Sequence, residues 1–272
     1  MKKAGDRNPD KGGPDYFFGG AANPVAGISP GRKIALFLDF DGTLVPIRKD
    51  PDKCVLSPEI KEQLRSLANS GRHFVAVLSG RTLADIKSRV GIRNICYGGN
   101  HGLTISGKGM GFIYPGALLV LPGIDKAGCR LEKEIARFDG ARVEWKKFTL
   151  SLHYRLVDKE DIPALKRVFY GVAAEFSGNK LLTVMKGKRV LELQPASWDK
   201  GKAVHWILNR LESGYLPLFI GDDVTDEAAF KALKNRGITV RIGRSKRSLA
   251  RFYLKDYGET LRLLETVLSL AP

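Results

Sequence analysis

Ile34-Ala35-Leu36-Phe37-Leu38-Asp39-Phe40-Asp41-Gly42-Thr43-Leu44 is a short apolar run that ends in two carboxylates two residues apart. An uncharged run of this length fits a strand buried on both faces of a parallel sheet, and the acids after it fall at the strand's carboxyl end, where open α/β sheets carry their chemistry. If the strand continues through Asp41, period-two geometry points both side chains the same way, so that they can converge on one ligand. One carboxylate can attack phosphorus and form an acyl phosphate that water then hydrolyses. The other can protonate the leaving oxygen and later take a proton from that water.

Attack of an anion on an anionic phosphate needs a hard cation, and magnesium suits an oxygen-rich, partly hydrated site built from one or two carboxylates and substrate phosphate. Phe219-Ile220-Gly221-Asp222-Asp223-Val224-Thr225-Asp226-Glu227 repeats the pattern of acids closing an apolar run. In a parallel sheet this cluster falls on the same edge as Asp39. Either cluster alone also fits a helix N-cap, since an Asp before a helix satisfies free amides. Two such clusters point to a metal site. Phosphate needs donors as well. Ser79-Gly80-Arg81-Thr82 follows a strand-like run and opens a helix, where a hydroxyl and free amides suit an oxyanion, or where Ser79 is an ordinary cap. Lys200, in Trp198-Asp199-Lys200-Gly201-Lys202, can bring an ammonium to the phosphate or be a solvated lysine.

Working outward, the pattern alternates. Ser57 and Pro58 suit N-cap and N1 of a helix with Ile60, Leu64 and Leu67 on one stripe and Gly71 at its end. Strand-like 73–78, helical 82–90 and strand-like 94–97 follow, and the alternation returns with helix 202–211, strand 216–220, helix 225–235, strand 238–242 and a terminal helix at 260–270. This predicts a doubly wound, Rossmann-like parallel α/β sheet. The rhythm breaks after Pro122: 142–156 has long strand-like character, 162–176 can form an amphipathic helix, and 181–193 reads as a hairpin turning at Lys186 to Lys188, together a small α+β insert. Residues 1–31, rich in glycine and proline, read as a flexible tail that Tyr16, Phe17 and Phe18 can pin to the body.

Lys and Arg outnumber Asp and Glu by 45 to 29, a formal +16. The basic residues are scattered along helical stretches, without an aromatic RNA-binding signature or a recognition helix, so they predict a solvated surface that attracts an anionic substrate rather than nucleic acid. The three cysteines, Cys54, Cys96 and Cys129, match no zinc spacing and predict reduced, buried thiols in a cytoplasmic protein. No apolar run approaches a membrane span, and the polar start at Met1 to Asp10 does not read as a signal peptide.

Asp39-Phe40-Asp41-Gly42-Thr43-Leu44 with Pro46-Ile47, Ser79-Gly80-Arg81, Asn100-His101-Gly102 and Gly221-Asp222-Asp223-Val224-Thr225-Asp226-Glu227, in that order, resemble the haloacid dehalogenase superfamily and, within it, the trehalose-6-phosphate phosphatase family, from about Ile34 to Leu268. The resemblance implies Asp39 as nucleophile, Asp41 as general acid/base, and Mg2+ held by Asp39, the Asp41 backbone carbonyl and Asp222. It implies that Asp223 and Asp226 hold metal-bound water or order the motif, and that Ser79 and Lys200, assisted by Thr43, bind phosphate. It also implies a core of 32–117 and 195–272 with a cap at 118–194. The substrate expected from it is trehalose 6-phosphate; a broader sugar phosphatase, and a basic binding protein on a phosphatase fold, remain alternatives. Arg81, Asn100, His101, Lys186 and Glu192 are the expected substrate contacts. A carboxylate at Glu192 can accept from vicinal hydroxyls, or it can pair with a neighbouring lysine along the strand. His101 can be a switch or a ligand, or can only hydrogen-bond the loop that positions Arg81 and Asp39. Gln194 stands where the family often has a basic residue before Pro195.

Overall fold

In the computed structural model, which describes residues 13–19, 24–25, 28–29, 31–48, 50–177, 180–187 and 189–270, the opening apolar run is a strand with all five side chains buried. In chain order the strands are β1 (Asp15–Tyr16), β2 (Ile34–Leu38), β3 (Phe74–Leu78), β4 (Cys96–Gly99), β5 (Thr104–Gly107), β6 (Met110–Ile113), β7 (Arg142–Trp145), β8 (Leu150–His153), β9 (Leu182–Gly187), β10 (Val190–Pro195), β11 (Leu216–Gly221), β12 (Ile238–Ile242) and β13 (Phe252–Leu254). The helices are α1 (Pro58–Asn69), α2 (Leu83–Val90), α3 (Pro115–Ile135), α4 (Ile162–Phe176), α5 (Lys200–Leu208), α6 (Glu227–Leu233) and α7 (Glu259–Leu268). The described chain divides into two units, one built from the segment up to Val77 together with Val204 onward, the other from Leu78–Ala203.

In the first unit the strands run in the order β1-β13-β12-β11-β2-β3, each neighbouring pair parallel. Parallel pairing needs crossovers, and α1 and α6 supply two of them, as the alternating pattern predicts. α1 starts where expected: Ser57 accepts from the Ile60 N–H, Pro58 occupies the first turn, and Ile60, Leu64 and Leu67 face inward. Of the expected tail, residues 1–12 lie outside the described residues. Asp15–Tyr16 instead adds a parallel edge strand to β13, and Phe17 is fully buried.

The second unit contains the antiparallel meander β4-β5-β6 and a four-stranded antiparallel sheet, β7-β8-β10-β9. Ile124, Leu131, Leu150, Leu152, Phe169 and Leu193 form the core between that sheet and helices α3 and α4. Two elements differ from expectation. The strand-like run 142–156 is two strands, broken where Lys147 takes φ +66° and the Lys146 N–H donates to the Thr149 carbonyl at 3.0 Å. The break lets Lys146 and Phe148, both buried, turn inward. Helix α3 was not expected, because Pro122 removes an N–H and normally ends a helix. Its stripe of Ala117, Val120, Ile124, Ala127 and Leu131 is buried nonetheless. The carbonyl that Pro122 leaves without a helical partner is that of exposed Leu118, on the side where water can meet it. α3 also carries Cys129 to the surface, so of the three free thiols, Cys54 and Cys96 are buried and Cys129 is not. The β9–β10 hairpin turns between Gly187 and Val190, one or two residues later than expected; Lys188 lies outside the described residues. No described helix is long and apolar enough to cross a membrane.

Candidate functional site

β11 and β2 pair in parallel with Ile220 opposite Leu38, and the Asp39 N–H extends the ladder by donating to the Ile220 carbonyl at 2.9 Å. Asp39 and Asp222 therefore leave the sheet side by side at the carboxyl ends of their strands. Carboxylate oxygens of Asp39, Asp222 and Asp226 all lie within 4.8 Å of one another, and all three residues are buried. Like charges at this separation repel strongly in a buried setting, so the cluster needs compensation. Asp226 receives part of it from the chain: its Oδ2 accepts from the N–H groups of Asp222 and Asp223, each at 2.9 Å. The donor set is hard oxygen throughout, which fits a magnesium-like cation and not a thiolate-loving metal.

This use of Asp226 reshapes the motif. Val224–Asp226 is a tight 3-10 turn and α6 begins only at Glu227, so the expected helix at 225–235 starts late. Glu227 fastens the far side: its Oε1 accepts from Arg241 at 3.0 Å and its Oε2 from the Leu249 N–H at 2.7 Å. Sequence reasoning gave Glu227 no role, because both partners come from chain that follows β11.

The strand does not continue to Asp41. β2 ends at Leu38, and the N–H groups of Thr43, Leu44 and Val45 all turn back to the Phe40 carbonyl. Asp41 is half-buried and is not one of the three converging carboxylates. Asp39 and Asp41 are thus carried by a turn after β2 and not by continued strand alternation. Gly42 makes the loop possible, at φ +89° and with its Cβ position only 2.4 Å from Asp222 Oδ2. Gly42→Ala is expected to lower the thermal unfolding midpoint by a strain of about 1–3 kcal/mol and to impair turnover by displacing Asp222. A variant with the parental midpoint and turnover in calorimetry and assay would show that the loop tolerates a side chain here.

In the second unit Ser79, Arg81, Asn100, His101 and Glu192 group around one pair of loops. Ser79 is buried, its N–H donates to the Gly98 carbonyl at 2.9 Å, and its Oγ accepts from the Arg81 N–H at 3.1 Å. The cap of α2 is Thr82, which accepts from the Asp85 N–H, so Ser79 is not that cap. Asn100, His101 and Gly102 are three successive left-handed residues, at φ +49°, +57° and +85°. Their turn grips the Ser79 loop, with the Asn100 N–H donating to the Arg81 carbonyl at 2.7 Å and the His101 N–H to the Ser79 carbonyl at 2.8 Å. The Arg81 guanidinium donates to Asp85 at 2.9 Å, and Arg89 takes the other carboxylate oxygen at 2.8 Å. Burial alone would raise the Asp85 pKa, but these two guanidiniums hold it below the usual range. Lys200 opens α5 and is buried rather than solvated.

Glu192 sits on β10, an interior strand, and is 4% exposed. Its Oε2 accepts from Lys146 Nζ at 3.0 Å and Ser151 Oγ at 2.7 Å, and its Oε1 lies 3.7 Å from His101 Nε2. Burial pushes its pKa upward, yet the Lys146 ammonium, His101 and the Ser151 hydroxyl outweigh it and bring the carboxyl down to about 2. The pairing alternative is thus realised, though with a lysine from the β7–β8 turn. Lys186 does not join it: register places Lys186 opposite Leu191, one residue off Glu192, and its ammonium lies over the Tyr170 ring. Lys146 also donates to the Gly80 carbonyl at 3.2 Å, and Asn100 Nδ2 donates to the Lys146 carbonyl at 2.7 Å, which binds this pair to the Ser79–His101 loops. Lys146, Ser151 and Glu144, whose Oε2 bonds His153 at 2.7 Å, were missed from the sequence. The available signal was the polar Glu144 and Lys146 at spacing two inside an otherwise strand-like run. Buried Asn100 Oδ1, Thr149 Oγ1, Glu192 Oε1 and Trp198 Nε1 have no hydrogen-bond partner among the described residues.

Residues 37–257 match the family model described as trehalose-phosphatase. The chain is 36% identical over 228 residues to "Probable trehalose-phosphate phosphatase D" of Arabidopsis thaliana, covering 78% of this chain and 60% of that protein's length. It is 35% identical over 260 residues to "Trehalose-phosphate phosphatase B" of Arabidopsis thaliana, covering 89% of this chain and 68% of the relative. Among solved structures, a trehalose-6-phosphate phosphatase related protein superposes with a TM-score of 0.75 at 25% identity, over 87% of this chain and 97% of the other.

Proposed function

We propose that this chain, which belongs to the trehalose-phosphatase family, hydrolyses trehalose 6-phosphate to trehalose and inorganic phosphate. The buried cluster of Asp39, Asp222 and Asp226 at the carboxyl ends of β2 and β11 carries the proposal. Converging carboxylate oxygens at the ends of two neighbouring parallel strands are the hard donor set that a phosphoryl-transfer site needs.

In this reading an Asp39 oxygen attacks phosphorus, the bond from phosphorus to the sugar oxygen breaks, and Asp41 gives its proton to that leaving oxygen. Water then attacks the phosphoaspartate, Asp41 takes the water's proton, and the bond between phosphorus and the Asp39 oxygen breaks to release phosphate and restore both carboxyl groups. Asp39, Asp222 and the Asp41 backbone carbonyl would hold Mg2+, which when bound neutralises negative charge around the transferring phosphoryl group. Asp226 orders the motif through the two amides it accepts from, and Asp223 is assigned to metal-bound water. Thr43, Ser79 and Lys200 donate to phosphate oxygens. Arg81, Asn100, His101 and Glu192 are assigned to the sugar, with Glu192 held ready by Lys146 and Ser151; Lys186, expected to join them, is held over Tyr170 one register position off Glu192. The division proposed for the chain is a core of 32–117 and 195–272 with a cap at 118–194, in a cytoplasmic protein.

The polar side chains gathered around Glu192 and the Asn100–His101 turn favour a polyhydroxylated substrate, because a site built to hydrogen-bond hydroxyls discriminates strongly against ligands that lack them. A phosphate-release panel tests this. With Mg2+, kcat/KM on trehalose 6-phosphate is expected to exceed that on sucrose 6-phosphate or glucose 6-phosphate by at least about 100-fold. Equal values would make the protein a general sugar phosphatase. Absence of release, with salt-sensitive binding to an arbitrary duplex, would make it a basic binding protein on this fold.

A further inference from the structure

Thr260, the second residue of α7, is fully buried and donates its hydroxyl to the Thr43 carbonyl at 2.9 Å, across 217 residues of chain. Threonines near a helix start ordinarily bond their own helix, so a hydroxyl committed to a distant loop is unusual. The loop it reaches carries Asp39 and Asp41. Thr43 is also fully buried, and the loop is already tightened by three N–H groups converging on the Phe40 carbonyl and by the Gly42 N–H on the Val45 carbonyl at 2.7 Å.

The first turn of α7 is itself fastened by the N-terminal segment. The Tyr16 hydroxyl donates to Glu259 Oε1, and Glu259 Oε2 accepts from the Lys255 N–H at 2.8 Å. β1 pairs with β13, the Phe17 N–H donates to the Tyr253 carbonyl at 2.9 Å, and Phe17 packs edge-on to Phe252. The Arg262 guanidinium, one helical turn after Glu259, lies 4.0 Å from the Phe18 ring centroid. Hydrogen bonds and buried rings thus run from Tyr16 through Glu259 and Thr260 to the loop that follows β2.

We propose that Thr260 is a positioning residue for the hydrolysis: its hydroxyl fixes the Thr43 carbonyl and with it the Asp39–Leu44 loop, and the Tyr16–Glu259 contact clamps the helical turn from which Thr260 reaches. The proposal rests on the phosphatase reading for its kinetic consequence and on packing alone for its structural one. Near-attack geometry is sensitive to sub-ångström shifts, so a loosened loop lowers the chemical step more than it weakens substrate binding, most of which is made by groups outside the loop.

The test compares wild type with Thr260→Val, which keeps shape but loses the hydroxyl, with Thr260→Ser, which keeps the hydroxyl, and with Tyr16→Phe, using trehalose 6-phosphate and Mg2+. Thr260→Val is expected to lose about 10- to 100-fold in kcat with KM within about two-fold, and Tyr16→Phe about 2- to 10-fold in the same direction. Amide exchange at Gly42 to Val45 should accelerate in Thr260→Val, and Thr260→Ser should restore most of both losses. Wild-type kcat and exchange in Thr260→Val, or a serine variant no better than the valine one, would overturn the proposal. If Thr260→Val does not fold, Tyr16→Phe decides, and a wild-type kcat in that variant overturns it. A wild-type protein that releases no phosphate counts against the phosphatase reading, while the exchange comparison still decides whether Thr260 holds the loop.

Discussion

Asp39→Asn is expected to lose at least about 10^3-fold in kcat while keeping the parental fold, because an amide is a poor nucleophile and the covalent step is removed, not slowed by misplacement. What ties Asp39 to the sheet is its backbone N–H, which donates to the Ile220 carbonyl and is indifferent to the side chain. The side chain sits among Asp222 and Asp226, so replacing it by a neutral amide removes one of three mutually repelling charges. Without divalent cation the variant should therefore unfold at the same temperature as the parent or a higher one, and with Mg2+ it should gain less stability than the parent does. Single-turnover phosphate release and thermal unfolding, each with and without Mg2+, provide the check. Retention of more than a few per cent of turnover would remove Asp39 from the nucleophile's role, and a lower unfolding temperature without cation would contradict the repulsion assigned to the cluster.

The two catalytic-edge strands were legible because burial on both faces writes itself into the chain locally: Ile34–Leu38 and the run through Ile220 are apolar throughout, and acids follow each. Asp39, Asp222 and Asp226 could be assembled from that pattern and the assumption of parallel strands. The turn that carries Asp41 could not, since the Phe40 carbonyl collects three N–H groups and ends the strand earlier than side-chain alternation suggests. α3 was obscured by Pro122 and the neighbouring Gly123, although its buried stripe keeps helical spacing. The β5–β6 hairpin was hidden for a related reason: its residues are only partly buried and glycine-rich, so no apolar alternation announces them. Lys146 and Ser151 were missed because their use depends on β10 pairing with β8 and on the β7–β8 turn, a long-range register that local periodicity does not encode. Lys186, singled out because it neighbours Glu192 in sequence, lies one register position off it for the same reason.

That long-range pair gives the largest stability effect expected in the molecule. Lys146→Met keeps the length of the side chain and removes its charge, leaving Glu192 buried without its main counter-ion, and breaking a buried pair from one side typically costs about 3–5 kcal/mol. The loss should depend on pH with a definite sign. In the parent, Glu192 has a folded pKa of about 2 against an ordinary 4.5, so its contribution to stability is complete above the ordinary value and is lost as pH falls from there toward 2. Without Lys146 the burial that opposes this shift has less against it, only the weaker pull of His101 and the Ser151 hydroxyl, with Glu144 adding a second negative charge within 3.9 Å of the vacated Nζ position. The carboxyl should then move above its ordinary value, and the variant's stability should fall as pH rises through that range. The gap between parent and Lys146→Met is accordingly expected to be narrow near pH 4 and wide at pH 7, in urea unfolding followed at both values. Adding Glu192→Gln to Lys146→Met should recover much of the loss at pH 7, because a neutral amide can keep the Ser151 hydroxyl as a partner and carries no charge to bury. A gap that stays constant with pH, or a double variant as unstable as the single one, would mean that Lys146 stabilises the unit through packing of its stem and its bond to the Gly80 carbonyl, and not through Glu192.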